Sequence, residues 1–194
     1  MTTKAKLVST IAAFCLVLAL MVVGVLAATS ATVNIGGTIS FTAQDVVGSV
    51  SISSSGDQAS AISGSQSFNA ENDDPLTIDL TGKALTFVKA ADDTPATITV
   101  TLTINNASTE RGMLVECTTL PALSEQSNVT LTNIKYTNGG EPTELTKGTQ
   151  FTIVKATNAE TPTTATITFD LVMTDANLSV SGDWTGAFKL SNPT

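Results

Sequence analysis

The stretch Ala31-Thr-Val-Asn-Ile-Gly-Gly-Thr-Ile-Ser-Phe-Thr-Ala43 alternates apolar and polar residues without a break. Its odd-numbered positions are apolar or glycine, and its even-numbered positions are polar or glycine. Because side chains alternate between the two faces of a β-strand, this period of two predicts a strand with one face on a core. The larger apolar residues on that face are Val33, Ile35, Ile39 and Phe41.

An export signal directly precedes this strand. Lys4 and Lys6 are followed by a run from Leu7 to Ala28 that has no charged residue, and then by small and polar residues. The pattern predicts a signal peptide over residues 1–27 and a mature chain that starts at Ala28. Because the apolar run is long enough to cross a membrane, residues 7–26 kept as an amino-terminal anchor are the alternative. Either reading predicts a secreted or cell-surface protein.

The rest of the chain, residues 28–194, is long enough for one domain with its own core. The sequence contains 17 acidic and 9 basic residues, a net charge of −8. Since an acidic surface repels phosphate groups, nucleic acid and anionic membrane surfaces are poor partners. Only Cys117 follows the signal, so the mature chain can form no internal disulfide, and the apolar residues before it predict a buried thiol.

Further segments with a period of two follow along the chain. The clearest is residues 96–105, where threonines alternate with apolar residues, and it predicts a central strand with a solvated outer face. After the signal, no stretch has helical apolar spacing over ten residues. About nine short strands with turn signals between them predict an all-β fold, a single antiparallel β-sandwich of the jelly-roll or Greek-key type.

Two details of this strand pattern give more specific expectations. Residues 53–72 are rich in Ser, Gly and Asn, which predicts a long surface loop with at most one short strand. Residues 85–102 and 151–171 share an order of strand, acidic loop with proline, and strand. Each of these two stretches is therefore predicted to form an antiparallel hairpin.

The absence of histidine limits the chemistry that the chain can perform. It excludes Ser-His-Asp and Cys-His arrangements and the His-Glu-x-x-His zinc site. A pair of glycosidase-type carboxylates has no fixed spacing in a sequence, so its absence cannot be read from spacing. The positions of the acidic residues argue against such a pair, because most of them fall in predicted loops or on outward strand faces. We therefore expect no enzyme activity and no cofactor.

Two kinds of ligand site have candidate residues. The loop residues 71–74, with three acids, and the pair 92–93 could supply oxygen ligands to calcium, although a charged loop that keeps the domain soluble explains them as well. Trp184 and Tyr136 are the only Trp and Tyr, and they are the candidate ligand contacts for a sugar. The alternative for Trp184 is a core tryptophan.

An exported amino terminus, a strand just after the cleavage point and a small acidic, threonine-rich domain resemble the camelysin/TasA family of bacterial surface and biofilm-matrix fibre proteins. The nearest local match is residues 38–43, Thr-Ile-Ser-Phe-Thr-Ala, whereas the aromatic-acidic segment usual after the signal in that family is missing here. The resemblance implies a jelly-roll whose amino-terminal strand pairs with the next subunit. The protease activity that the name camelysin suggests conflicts with the absence of histidine.

The residues support self-assembly independently of the resemblance. A terminal strand with thirteen alternating residues can satisfy its backbone groups at the sheet edge of another subunit and bury Val33, Ile35, Ile39 and Phe41 there. The same strand can instead fold back into its own sheet. We expect a structural or adhesive cell-surface subunit whose partner is itself or another surface component. The alternative is a monomeric module that binds carbohydrate or calcium.

Overall fold

The fold is all-β in the part of the chain that the computed structural model describes, which is residues 30–69, 75–79, 83–88, 95–124, 129–158, 160–173 and 180–193. The predicted signal over residues 1–27 lies outside these ranges. No helix occurs in them. The strands are β1 (Ser30–Gln44), β2 (Gly48–Gly56), β3 (Gln58–Ser60), β4 (Ser63–Phe68), β5 (Pro75–Asp79), β6 (Lys83–Val88), β7 (Ala96–Asn106), β8 (Met113–Leu123), β9 (Val129–Thr137), β10 (Thr143–Glu144), β11 (Gln150–Ile153), β12 (Thr163–Met173) and β13 (Val180–Ser191).

The prediction of about nine strands was too low, because the described ranges contain thirteen. The additional strands are short or poor in apolar residues, so a hydrophobic period does not reveal them. The segment 53–72 illustrates this, since it was predicted as a loop with at most one short strand but contains the end of β2 and all of β3 and β4. These residues extend because their backbones pair with neighbouring strands.

The strands form two sheets. The order in the first sheet is β11-β8-β13-β1-β6-β3, with β5 also paired to β1, and the order in the second is β10-β9-β12-β7-β2-β4. The chain therefore crosses between the sheets at nearly every connection. The two predicted hairpins are wrong for this reason: β6 and β11 lie in the first sheet, whereas β7 and β12, which follow them, lie in the second.

The prediction that all pairs are antiparallel fails at one place. β1 and β13 run parallel, from Val33 beside Val180 to Gln44 beside Ser191. These strands come from the two ends of the domain and share no turn, so no local pattern fixes their relative direction. As a result, Ser30 and Ser191 lie at opposite ends of the first sheet. The paired register spans about 36 Å at roughly 3.3 Å per residue.

Side chains from both sheets form one hydrophobic core. β7 over its whole length, and β12 from Ala165 onward, alternate between buried and half-buried residues. β7 lies between β12 and β2, which confirms the predicted central strand. Two aromatic pairs join the sheets. Phe169 of β12 lies 5.1 Å from Trp184 of β13 between ring centres, and Tyr136 of β9 stacks on Phe151 of β11 at 4.5 Å.

Candidate functional site

The amino-terminal strand β1 occupies the middle of the first sheet. One side pairs with β13 over Val33–Gln44, and the other side pairs antiparallel with β6 over Ser30–Ile35 and with β5 over Thr38–Thr42. Both of its edges are therefore satisfied by the same chain. Of the two arrangements that the sequence leaves open, this structure has the strand folded into its own sheet.

The described side chains of β1 point into the core in the pattern that the alternation predicts. Ile39 and Phe41 are fully buried, and Phe41 stacks on Phe188 of β13 with 5.4 Å between ring centres. Burying each such side chain stabilises the fold by about 1.5–3 kcal/mol. The side chains of Val33 and Ile35 lie outside the described part, although their backbones pair with Val180 and Leu85 and with Gly182 and Lys83.

A glycine in the middle of β1 permits a close approach to β13. Gly37 has a φ of 78°, and a Cβ atom at this position would lie 2.2 Å from the carbonyl oxygen of Trp184 and 2.7 Å from its backbone nitrogen. Positive φ is costly for residues with a Cβ, and real Cβ atoms do not approach a backbone this closely. Only glycine fits here. On the side of β1 away from β13, the neighbouring strand changes from β6 to β5 near Gly37.

The turn from β1 to β2 contains three residues, Asp45, Val46 and Val47. Asp45 has a φ of 52°, in the left-handed region, and Val46 is buried while Val47 is 38 % exposed. Left-handed backbone costs L-residues about 1–2 kcal/mol, with aspartate among the more tolerant types. We call Asp45–Val47 the hinge, because it is the described connection between β1 and the rest of the domain.

The two candidate ligand contacts do not form a shared binding surface. Trp184 is 2 % exposed and packs against Phe169. It is therefore a core tryptophan, which was the alternative, and not an exposed platform for a sugar. Its indole Nε1 has no hydrogen-bond partner. Tyr136 is half-buried with its ring stacked on Phe151. The signal that places Trp184 in the core is its shared parity with Phe188 and Leu190, which are also buried.

A cavity of about 460 Å³ lies between β8 and β9. Its apolar lining comes from Leu120, Leu131, Ile134 and Leu145, and Lys135 is among its polar residues. The sequence analysis did not identify it. The sequence of β9 contains a sign of this cavity, because its inward-facing positions change from odd to even numbers across Asn133. Asn133 has a φ of 53° and lies beside a register shift. Such a bulge changes which residues face inward.

The described residues contain no group of three or more His, Cys, Asp or Glu side chains that could hold a metal ion. The acidic residues proposed for calcium, 71–74 and 92–93, lie outside the described ranges. Asp170, on the outer face of the second sheet, is occupied by neighbours: Thr99 Oγ1 donates to it at 2.7 Å and Asn133 Nδ2 at 2.8 Å. These two hydrogen bonds give the Asp170 carboxylate a structural role in the second sheet.

The thiol of Cys117 is fully buried on β8, which confirms the predicted burial. Burial raises its pKa above the ordinary value of 9.0, because the charged thiolate is poorly solvated there. A buried thiol with a raised pKa is a poor nucleophile. Cys117 therefore belongs to the core.

One further polar side chain is built into the core. Asn106, at the end of β7, is 1 % exposed. Its Nδ2 donates to the carbonyl oxygens of Arg111 at 3.0 Å and Val154 at 3.1 Å, and its Oδ1 accepts from the backbone N–H of Ser108 at 3.0 Å. Its polar atoms are satisfied, so it ties the ends of β7 and β11 to the connection between β7 and β8.

No protein-family model matches the chain, and no curated protein matches it. Within the residues that the structure describes, no helix is long and apolar enough to cross a membrane. The position of β1 and the hinge that follows it are accordingly the features on which a functional proposal can be built.

Proposed function

We propose that this chain is an exported structural or adhesive subunit of the cell surface, without enzyme activity, which assembles with copies of itself by exchanging β1. Its two sheets would form a sandwich of the jelly-roll type. The observation that carries the proposal is the place of β1: the first described strand holds a central position in its own sheet. An identical strand from another copy would fill that position with identical contacts.

Exchange of an amino-terminal strand changes few interactions. The backbone pairs with β13, β6 and β5, and the burial of Ile39 and Phe41, are the same whether β1 comes from its own chain or from a neighbour. What differs is the hinge, which must open. Short hinges under strain favour exchange of this kind, and opening releases the left-handed conformation of Asp45.

Exchange of β1 can build a chain of subunits. If each copy gives its β1 to one neighbour and receives β1 from another, the contact is head-to-tail and can repeat into a fibre, whereas reciprocal exchange between two copies closes a dimer. The parallel register with β13 would be preserved, because β13 stays in its own domain. The export signal predicted before β1 agrees with assembly outside the cell.

Removing residues 28–35 from the mature protein tests the role of β1 directly. The deletion takes away all the residues of β1 that pair with β6, so we expect the fibres or oligomers formed by the intact mature protein to disappear in negative-stain electron micrographs. Unchanged assemblies would remove the proposal. Circular dichroism of the deleted form establishes whether it retains β-structure.

Hinge variants provide a test that keeps β1 intact. Asp45→Pro cannot adopt the φ of 52° of the closed turn, because proline fixes φ near −65°, so it should shift the protein toward assemblies. Asp45→Gly relieves about 1 kcal/mol and should favour the closed monomer by about five-fold. Asn133→Gly is the control away from the hinge. It relieves a φ of 53° at a bulge and removes the hydrogen bond from Asn133 Nδ2 to Asp170, and both changes act equally on the closed and the exchanged form. Equal effects of Asp45→Gly and Asn133→Gly would contradict exchange.

The cavity between β8 and β9 favours a second candidate function, a monomeric ligand-binding module. Its volume of about 460 Å³ lies within the roughly 300–1,000 Å³ typical of ligand pockets. The leucine and isoleucine lining suits an apolar group better than a bare sugar or calcium ion. This candidate predicts a monomer at high protein concentration and ligand binding that Leu131→Trp abolishes by filling the cavity.

A further inference from the structure

The outermost strand of the second sheet, β4, has an open and uncharged edge. Ser63 to Phe68 pair with β2 in a continuous register with no shift, from Ser63 beside Ser53 to Phe68 beside Gly48. No described strand pairs with the other side of β4. The residues from Ser63 to Ser67 are all exposed, and only Phe68 is buried as an anchor. The outer edge therefore presents unpaired backbone N–H and C=O groups to solvent.

The other outer strands of the described ranges each carry a feature that discourages the addition of another strand. β10 has two residues, β11 has four, and β3 has three with a register shift. β5 begins at Pro75 and ends at Asp79. The open part of β9 contains the left-handed residue Asn133, and the open part of β8 contains Pro121.

β4 has none of these features. Its sequence, Ser-Gly-Ser-Gln-Ser-Phe, contains no charge and no proline, and its six residues run without a bulge. Its side chains are small at most positions, so a second backbone can approach the edge. Among the described strands, β4 is thus the one whose edge is suited to main-chain pairing.

The chemistry of this edge fits a second copy of the same strand. An antiparallel ladder between two identical strands is self-complementary, which is the arrangement of a two-fold dimer. The chain has a net charge of −8, so two copies repel each other over most of their surfaces. The uncharged edge of β4 brings no charge of its own to the contact, and the exposed serines add side-chain hydrogen bonds.

We propose that two copies of this protein pair through their β4 strands, antiparallel and about a two-fold axis at Ser65 or Gln66. The second sheets of the two copies then form one continuous sheet. This contact goes beyond the proposed function, because it uses no exchange of β1. In an assembly made by strand exchange, it would join neighbouring chains of subunits side by side.

The pairing geometry defines which residues meet. Two registers keep the outer face continuous from one sheet to the other. In the first, Ser65 lies opposite Ser65 of the second copy. In the second, Gln66 lies opposite Gln66 of the second copy. Opposed Cα atoms in an antiparallel pair are about 4.5–5.5 Å apart, within the range of roughly 4.4–6.8 Å that a disulfide spans. Ser63 lies about 13 Å or more from its own copy in both registers.

Disulfide trapping tests the contact in the full mature chain. Ser65→Cys or Gln66→Cys is expected to form a covalent dimer under mild oxidation, whereas Ser63→Cys, on the same exposed strand, is expected to remain monomeric. The native thiol does not interfere, because Cys117 is buried. If Ser65→Cys and Gln66→Cys cross-link no faster than Ser63→Cys, the proposed pairing is wrong.

A charge placed on the edge gives a second, non-covalent test. Ser65→Lys puts like charges close to each other across the axis and should weaken dimerisation about five-fold in sedimentation equilibrium. The control is Ser53→Lys, an exposed position on the same face one strand further in, which should not change the dimer dissociation constant. Equal dissociation constants for Ser65→Lys and Ser53→Lys would contradict the proposal.

The two proposals fail separately in these experiments. Asp45→Gly acts on the hinge of β1 and should leave the cross-linking of Ser65→Cys unchanged. Fibres that persist in a variant whose β4 strands do not cross-link would overturn the β4 contact and keep strand exchange. If the cross-linked dimers form but no larger assemblies are seen, the result supports the β4 contact and not strand exchange.

Discussion

Replacing Gly37 by alanine should destabilise the domain strongly, because two separate costs meet at this position. The first is the φ of 78°, which costs an alanine about 1–2 kcal/mol. The second is steric, since the new Cβ would lie 2.2 Å from the carbonyl oxygen of Trp184, so β1 and β13 would have to move apart. Their separation would disturb the pairing of two central strands, and we expect a total loss of about 3 kcal/mol or more.

Two other glycines separate these costs experimentally. Gly139 has a φ of 72° and no atom within 4 Å of the Cβ position, so Gly139→Ala should cost only the backbone term. Gly140 has neither a positive φ nor a close neighbour, so Gly140→Ala should be nearly neutral. In a domain of this size, 1 kcal/mol shifts the melting temperature by about 2–4 °C.

Thermal unfolding followed by circular dichroism should therefore rank the three variants. Gly140→Ala is expected to melt with the parent protein, Gly139→Ala about 2–8 °C lower for its cost of about 1–2 kcal/mol, and Gly37→Ala lower still, by roughly 6–12 °C for a cost of about 3 kcal/mol. Urea unfolding gives the same order as free energies. If Gly37→Ala melted at the same temperature as Gly139→Ala, the close approach of β1 to β13 would be refuted, and with it the central place of β1.

Phe41→Ala should lower the free energy of unfolding by about 3–5 kcal/mol in urea titrations, because it leaves a cavity beside Phe188; a loss below about 1 kcal/mol would contradict its burial. Asn106→Ala should cost at least about 2 kcal/mol by the same measurement, since it leaves the carbonyl oxygens of Arg111 and Val154 without their donor, and a neutral effect would contradict this network. Cys117 should resist a thiol reagent in the native protein at pH 8 and react after unfolding. Rapid labelling of the native protein would contradict the buried position. The raised pKa of Cys117 also predicts that its contribution to stability is present below pH 9.0, the ordinary pKa, and is lost as the pH rises through the folded-state pKa.

Period-two alternation predicted individual strands well and their arrangement less well. Residues 96–105 form a strand as expected, because the alternation of threonine with isoleucine, valine and leucine is a local property of that segment. The sheet to which a strand belongs is not local. The predicted hairpins at residues 85–102 and 151–171 instead cross between sheets, through connections at 89–95 and 154–162 that are longer than hairpin turns.

The candidate site shows the same limit. Burial of Ile39 and Phe41 follows from the alternation, but the partners of β1 do not, since β13 is more than a hundred residues away in the sequence. β4 was missed because serine and glycine bury little apolar surface, so pairing with β2 defines this strand instead. For Trp184, the parity that it shares with Phe188 and Leu190 favours the alternative of a core tryptophan, and all three side chains are buried.

The parallel pairing of the first and last strands gives the domain a built-in polarity. Ser30 lies at one end of the first sheet and Ser191 at the other, about 46 Å away along the strands at roughly 3.3 Å per residue. A cargo protein fused after Ser191 would consequently be displayed on the far side from an amino-terminal attachment. In the cell-surface subunit that we propose, such a fusion should remain accessible to antibodies on intact cells.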